Sequence, residues 1–236
     1  MHGREVGAEE AATRWLSEAR LETYLQPCGG DLHLAMRLYD WNLRLAQAVL
    51  HDVALFEVSL RNAYDQCLRN GWGEEWFSDD SGPVRRPIMR TNRRGYSRDQ
   101  NRFNRRAIDS LASVGRSHDW VVSNLTLGFW THMTDRSHER DLWIPYLHRA
   151  WLAGTDRAAA ARGVGAVNAV RNRAMHHERL FNPSNGGISV NAAAACMEEA
   201  FEHLVPAEFR DEFPDLRPCE TLAFIEDVPA PADVLL

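Results

Sequence analysis

Residues 32–69 read LHLAMRLYDWNLRLAQAVLHDVALFEVSLRNAYDQCLR. Within them Leu34, Leu38, Trp41, Leu45, Ala48, Asp52, Leu55 and Ser59 recur at alternating steps of four and three. Val49, Phe56, Leu60 and Ala63 widen that stripe. A 3.6-residue period puts all of these on one side of a helix. The spacing therefore predicts one long helix, or two nearly collinear ones, ending at Asn70-Gly71, with Asp31 placed to cap its start.

The same period recurs on both sides. Residues 9–26 carry Ala12, Trp15, Leu16, Ala19 and Leu25 and stop at Pro27 and Gly29-Gly30. Residues 71–98 hold Gly71, Gly73, Gly82, Pro83, Pro87 and Gly95 and read as a loop. Residues 101–113 predict a short Arg-coated helix, and residues 117–134 and 138–152 are helical, the latter kinked or broken at Pro145. Asp156 caps a segment running to about His177. A turn covers 182–187, and residues 190–204 form an Ala-rich helix. Trp120, Phe129, Trp130, Trp143, Tyr146 and Trp151 read as core. No alternating strand pattern and no repeat is visible, so the architecture is an all-α bundle over residues 1–210. An acidic, Pro-rich, loosely held tail over 211–236 is expected to come after it.

A chain of 236 residues buries a full core without staples. Its four cysteines contain no C-x-x-C pair, which excludes a zinc ribbon or disulfide scaffold and fits a reducing, cytoplasmic setting. No apolar run approaches membrane-span length, and MHGREVGAEE lacks a signal-peptide apolar segment. All 27 basic residues are Arg. Lysine chemistry is therefore excluded: no Walker lysine, no Schiff base.

The net charge of −6 hides an uneven distribution. Residues 1–84 carry −7, 85–106 carry +8, 107–181 carry +2 and 182–236 carry −9. A basic middle between acidic ends points to an anionic partner. The basic block is Arg85, Arg86, Arg90, Arg93, Arg94, Arg98, Arg102, Arg105 and Arg106, interleaved with Tyr96 and Phe103. Arginine forks with aromatic rings suit phosphate contact and base stacking, with RNA as the expected partner; the other reading is a solvated or disordered loop paired with the acidic ends.

Motifs for nucleotide phosphate loops, zinc proteases and serine hydrolases are absent. No histidine pair has metal-ligand helical spacing, so neither metal nor cofactor is expected. One segment stands out: Arg171-Asn172-Arg173-Ala174-Met175-His176-His177. It sets a fixed cation, an amide and two imidazoles within seven residues at a helix end. Asn168, Asn172 and His176 share one face at i, i+4, i+8. Arg171 and His176 are five apart, about 140° around a helix. They meet at one phosphate only if Arg171 reaches round, the helix distorts, or a second subunit completes the site. Cleavage of RNA suits this set. An imidazole moves protons to or from a 2′-hydroxyl or 5′-oxygen near neutral pH, and a guanidinium stabilises the phosphorane.

Arg171-Asn172-x-x-x-His176, with His177-Glu178 directly after it, resembles the R-N-x-x-x-H signature of the HEPN superfamily. The chain more closely resembles the Abi-like (abortive infection) family of bacterial phage-defence proteins. That likeness rests on residues 38–42 (LYDWN), 56–63 (FEVSLRNA), 125–130 (LTLGFW), Leu142-Trp143 and 170–178 (VRNRAMHHE), in family order over about 15–205. Members typically carry Ile-Ala where this chain has Ala174-Met175, and often Pro where it has Arg179; neither departure touches the Arg or the His. The resemblance implies a HEPN-like helical bundle, here with an Arg-rich insertion at 71–106. It implies a homodimer with two motifs across one cleft, and metal-independent endoribonuclease activity in defence or toxin-like growth arrest.

By the same resemblance Arg171 and His176 are the catalytic pair, supported by Asn172, with His177 a neighbour or second proton handler. Glu57, Arg61 and Asn62, in the long helix beside the motif helix, are candidates to line or brace the cleft. Glu57, Arg61 and Asp65 also read as a surface ion-pair ladder. An antitoxin or a small noncoding RNA is a further possible partner. A rival reading is a non-catalytic RNA- or partner-binding module using 85–106; another is a nucleotide-binding regulator.

Overall fold

The computed structural model describes residues 7–111, 116–183 and 187–236. The expected helix end at Ser113, part of the 182–187 turn and the first six residues lie outside them. The fold is built on α3 (Leu32–Gly71), one unbroken helix of 40 residues, about 60 Å long. Asp31 caps it, its carboxylate accepting the Leu34 N–H at 3.0 Å. Leu38, Leu45, Val49, Phe56 and Leu60 are fully buried along it. A Cβ on Gly71 would stand 2.3 Å from the Tyr146 ring, so close approach of that ring requires glycine at the helix end.

The segment before α3 divides into α1 (Ala8–Leu16) and α2 (Glu18–Leu25), where the sequence predicts one helix. The break is Ser17, with φ +70°. A 3-10 turn over Gln26–Cys28 leads into α3.

Residues 71–98, read as a loop, hold all but the last residue of a small antiparallel hairpin of β1 (Met89–Thr91) and β2 (Ser97–Asp99). The segment is anchored by buried Trp76, Val84 and Ile88. Helix α4 (Arg102–Leu111) comes next. The predicted 117–134 helix is two, α5 (His118–Asn124) and α6 (Leu127–Met133), separated by extended backbone at Leu125 and Thr126. Residues 138–152, expected to be helical with a break at Pro145, consist of short 3-10 turns flanking a π-helical turn at Glu139–Trp143.

Helix α7 (Arg157–Met175) is capped by Asp156, which accepts the Ala159 N–H at 3.1 Å. It runs antiparallel to α3. Asn42 of α3 bonds the chain just past its C-terminus, and Tyr64 of α3 bonds Trp151 just before its N-terminus. Helix α8 (Val190–Leu204) packs on both. The expected core aromatics Phe129, Trp130 and Trp143 are buried, and Trp120, Tyr146 and Trp151 pack partly buried against them.

The C-terminal residues, read as a loosely held tail, are docked. They form α9 (Ala207–Glu212) and α10 (Glu220–Asp227), and α10 lies on α3. Asp52, the carboxylate inside the apolar stripe, explains the docking. It is 1% exposed and accepts the N–H groups of Glu220 at 3.1 Å and Thr221 at 2.8 Å, the first turn of α10. Trp41 donates its indole N–H to the Val228 carbonyl at 2.7 Å at the other end. The chain is thus predominantly helical, and no helix among the described residues is long and apolar enough to cross a membrane.

Candidate functional site

The Arg171–His177 segment forms the C-terminal end of α7. Val164, Val167, Val170 and Ala174 turn inward and fix the helix against the core. Arg171 is half-buried; Asn172, His176 and His177 are exposed. Arg171 donates an Nη1 hydrogen bond to the Asn172 side-chain oxygen at 3.1 Å. The Asn172 carbonyl accepts the His176 N–H at 3.0 Å.

The helix then closes in a Schellman turn. His177 donates to the Ala174 carbonyl at 3.1 Å and Glu178 to the Arg173 carbonyl at 2.9 Å. His177 occupies the left-handed position of that turn, with φ +55°. Glycine is usual there because a Cβ is strained. His176 is therefore held at the last residue before a fixed reversal of the chain.

Asn42 clamps the strand of chain beyond this turn, and its amide is completely buried. The side-chain oxygen accepts the Leu180 N–H at 2.8 Å, and Nδ2 donates to the Glu178 carbonyl at 3.2 Å. Phe181 packs edge-on against Tyr24 at 5.5 Å. Arg173, partly buried, donates to the Ile188 carbonyl at 2.6 Å. Burial lowers its pKa from the usual guanidinium value.

Glu57, Arg61 and Asn62 lie elsewhere in the monomer. From Asn42 to Arg61 is 19 residues of unbroken helix, about 28 Å. Arg61 donates to the Ser123 carbonyl at 3.2 Å, and its Nε is buried without a partner. It lines a concavity of about 380 Å³ with Asn62, Asp65, Asp119 and Trp120. The predicted Glu57–Arg61–Asp65 ladder does not form among the described residues. Asp65 is buried and instead accepts the Trp76 indole N–H at 2.8 Å and faces His118 Nε2 at 2.8 Å. Nothing in the sequence signals that cluster, because Asp65 and His118 are 53 residues apart.

The arginine block divides in two. Arg85 pairs with Asp80 and Asp109, Arg86 and Arg90 share Asp141, and Arg105 pairs with Asp99. These four fasten the segment. Arg93, Arg94, Arg98, Arg102 and Arg106 are exposed and make no ion pair among the described residues. Arg93 and Arg94 sit at the hairpin tip, where Asn92 accepts the N–H groups of Arg94 and Tyr96 at 2.9 and 3.1 Å. Tyr96 is 72% exposed and Phe103 47%.

The hairpin root is locked by a buried polar network. Asn101 donates to the Pro83 and Arg86 carbonyls, both at 2.8 Å. Its oxygen accepts from Asn104 at 2.9 Å and faces His138 Nε2 at 3.0 Å. Since the Asn101 amide nitrogen is spent on carbonyls, His138 Nε2 carries the proton. Burial, helped by the neighbouring His132, pushes the His138 pKa down to about 4. Burial also opposes charge on His132. Its bonds to Asp135 at 2.8 Å and to the Gln100 carbonyl at 3.1 Å outweigh that and raise its pKa.

A larger concavity, about 900 Å³, lies between α7 and α8, lined by small residues such as Ala159, Gly163 and Ala166. It takes the N-terminal half of α7, not the motif. All four cysteines are free, and burial raises the thiol pKa of Cys28, Cys67 and Cys196, which makes them weak nucleophiles. No cluster of three or more His, Cys, Asp or Glu side chains suited to a metal ion occurs among the described residues. No family model, curated protein or solved structure matches the chain.

Proposed function

We propose that the chain is a cytoplasmic, metal-independent endoribonuclease of the Abi-like, HEPN type, acting in phage defence or as a growth-arrest effector. Arg171 stabilises the phosphate and His176 transfers the proton. The observation that carries this reading is the grouping of Arg171, Asn172 and His176 within about one and a half turns of a fixed, solvent-facing helix end.

In the reaction the ribose 2′-oxygen attacks the adjacent phosphorus and the bond to the 5′-oxygen breaks. The products are a 2′,3′-cyclic phosphate and a 5′-hydroxyl. His176 takes the 2′-hydroxyl proton or supplies one to the departing 5′-oxygen, and the Arg171 guanidinium neutralises the phosphorane. The nucleophile is internal to the RNA. Arg171 and His176 are not hydrogen-bonded to each other, and a second copy of the chain supplying the facing motif completes the pair.

The test is induction of the wild type and His176→Ala in a bacterial host with genome-wide mapping of new RNA 5′ ends. Growth arrest with discrete cuts bearing 5′-hydroxyls, lost in the variant, is expected. Cuts that persist in both His176→Ala and Arg171→Ala, or that require Mg²⁺, overturn the reading.

A second reading is favoured by the five exposed arginines that form no ion pair among the described residues and by Tyr96: a non-catalytic module that binds RNA through residues 85–106. It predicts binding indifferent to His176→Ala and abolished when those arginines are neutralised.

A further inference from the structure

We propose that Arg136 and Arg140, with Arg90, form a phosphate-binding subsite that extends the arginine hairpin into a continuous track for a single-stranded RNA backbone. The proposal rests on the RNA reading above and adds residues that the basic block does not contain.

The backbone creates the site. The 3-10 turn Arg136–His138 runs straight into the π-helical turn Glu139–Trp143. Turns of that kind recur where side chains must be presented for function. Here they bring Arg136 and Arg140 together with Arg90 around a concavity of about 320 Å³. Arg136 and Arg140 are exposed and form no ion pair among the described residues. The carboxylate in the concavity, Glu139, is drawn to Arg157 at 3.6 Å. Asp141 serves two guanidinium groups at once, Arg86 at 2.9 Å and Arg90 at 3.1 Å. Positive charge is therefore in excess.

Contacts connect this subsite to the hairpin. Arg90 donates to the Ser137 carbonyl at 3.1 Å, which seats β1 on the turn carrying Arg136. Arg90 and Arg98 are direct cross-strand partners, so both side chains leave the same face of the hairpin. Like charges in that position oppose strand pairing, and Arg98 forms no ion pair among the described residues to offset it. A local cost of this sort is expected where a sequence serves binding rather than folding. Arg98 also lies close enough to His132 for its charge to oppose protonation there, and the His132 ring meets Phe103 at 5.1 Å. Arg102 and Arg106, one helical turn apart on α4, flank Phe103.

The line runs from Arg136 and Arg140 through Arg90 and Arg98 to Phe103. Guanidinium forks grip phosphate oxygens, while exposed Phe103 and Tyr96 offer stacking faces. Bases are free to stack on protein only when unpaired, which selects a single strand over a duplex.

The test uses the full chain and a fluorescein-labelled 20-nucleotide 2′-O-methyl RNA, which the proposed reaction cannot cleave, with anisotropy read across salt. Arg136→Ser with Arg140→Ser is compared with Arg14→Ser with Arg37→Ser, an equal charge change outside the track. The track variant is expected to bind about tenfold or more weakly, with a log–log salt slope smaller by about 1.4, and the control within twofold.

Equal loss in both variants, or none in either, overturns the subsite and leaves RNA binding intact. Loss confined to the track variant, in a protein that cuts no natural RNA, supports the subsite and overturns only the nuclease reading. Wild type that ignores the RNA overturns both. If it then binds phosphatidylglycerol vesicles, the basic face serves a membrane surface.

Discussion

Leu180 donates its backbone N–H to the side-chain oxygen of Asn42 at 2.8 Å, joining two residues 138 positions apart in sequence. The bond is buried, and the same amide donates to Glu178 two residues earlier. A helix end has no reason of its own to leave the bundle in one direction. Asn42 supplies that reason for the chain that leaves the turn after His176.

Asn42→Ala strands a buried donor and an acceptor at once. The expected loss is about 2–3 kcal/mol of unfolding free energy, read as a lower urea midpoint at unchanged slope. Cleavage by the folded fraction is expected to fall as well, because the turn after His176 is released. An unchanged midpoint would remove Asn42 as the clamp.

His177→Gly has the opposite sign. A non-glycine residue in the left-handed region carries strain that glycine lacks, partly offset by the greater freedom of glycine in the unfolded chain. A gain of about 0.5–1 kcal/mol is expected in thermal or urea unfolding. Cleavage retained in this variant assigns His177 to the turn; cleavage lost with stability gained assigns it to the chemistry.

The pH dependence originates in the pair at the hairpin root. His138 is held near a pKa of about 4 in the fold and relaxes to about 6.5 when unfolded. Unfolded chains bind that proton first, so its contribution is full above pH 6.5 and is lost as pH falls toward 4, up to about 3 kcal/mol. His132 acts inversely, since its folded pKa is raised. Its contribution is present below pH 6.5 and is lost as pH rises through the folded value. Urea midpoints at pH 4.5, 6 and 7.5 check this. The acid-side decline is expected to flatten in His138→Gln, and its persistence there would place the titration elsewhere.

Asp52→Ala removes the acceptor that starts α10. About 2 kcal/mol of stability is expected to go, with faster amide hydrogen exchange over residues 219–228 than in the wild type. Protection that stays unchanged would show that Trp41 and packing suffice.

The long helix was legible because Leu38, Leu45, Phe56 and their neighbours repeat with the helical period, and α8 was legible for the same reason. The break at Ser17 was not, since nothing in a serine announces a positive φ. The hairpin was hidden because its three-residue strands, Met-Arg-Thr and Ser-Arg-Asp, bury no alternating face, although Asn92 and Gly95 mark its turn. The docked C-terminus was misread for its acidity and prolines, because Asp52, which holds it, lies 169 residues before Thr221. In the candidate site the segment holding Arg171, Asn172 and His176 stands out in the sequence by its residue types, while the roles proposed for them are what the family resemblance implies. The Asn42 clamp and the separation of Arg61 from the motif came only with the fold.

The forty residues of α3 contain neither proline nor, before its last position, glycine. Each inserted or deleted residue would turn everything beyond it by about 100° and shift it 1.5 Å. Asn42, Asp52 and Asp65 face three different clients, at the α7 terminus, at α10 and at Trp76. A one-residue change in spacing at exposed Ala54 would misalign the third against the first two without altering any of their side chains. The helix is a gear shaft as much as a core, and its tooth count is part of the specification.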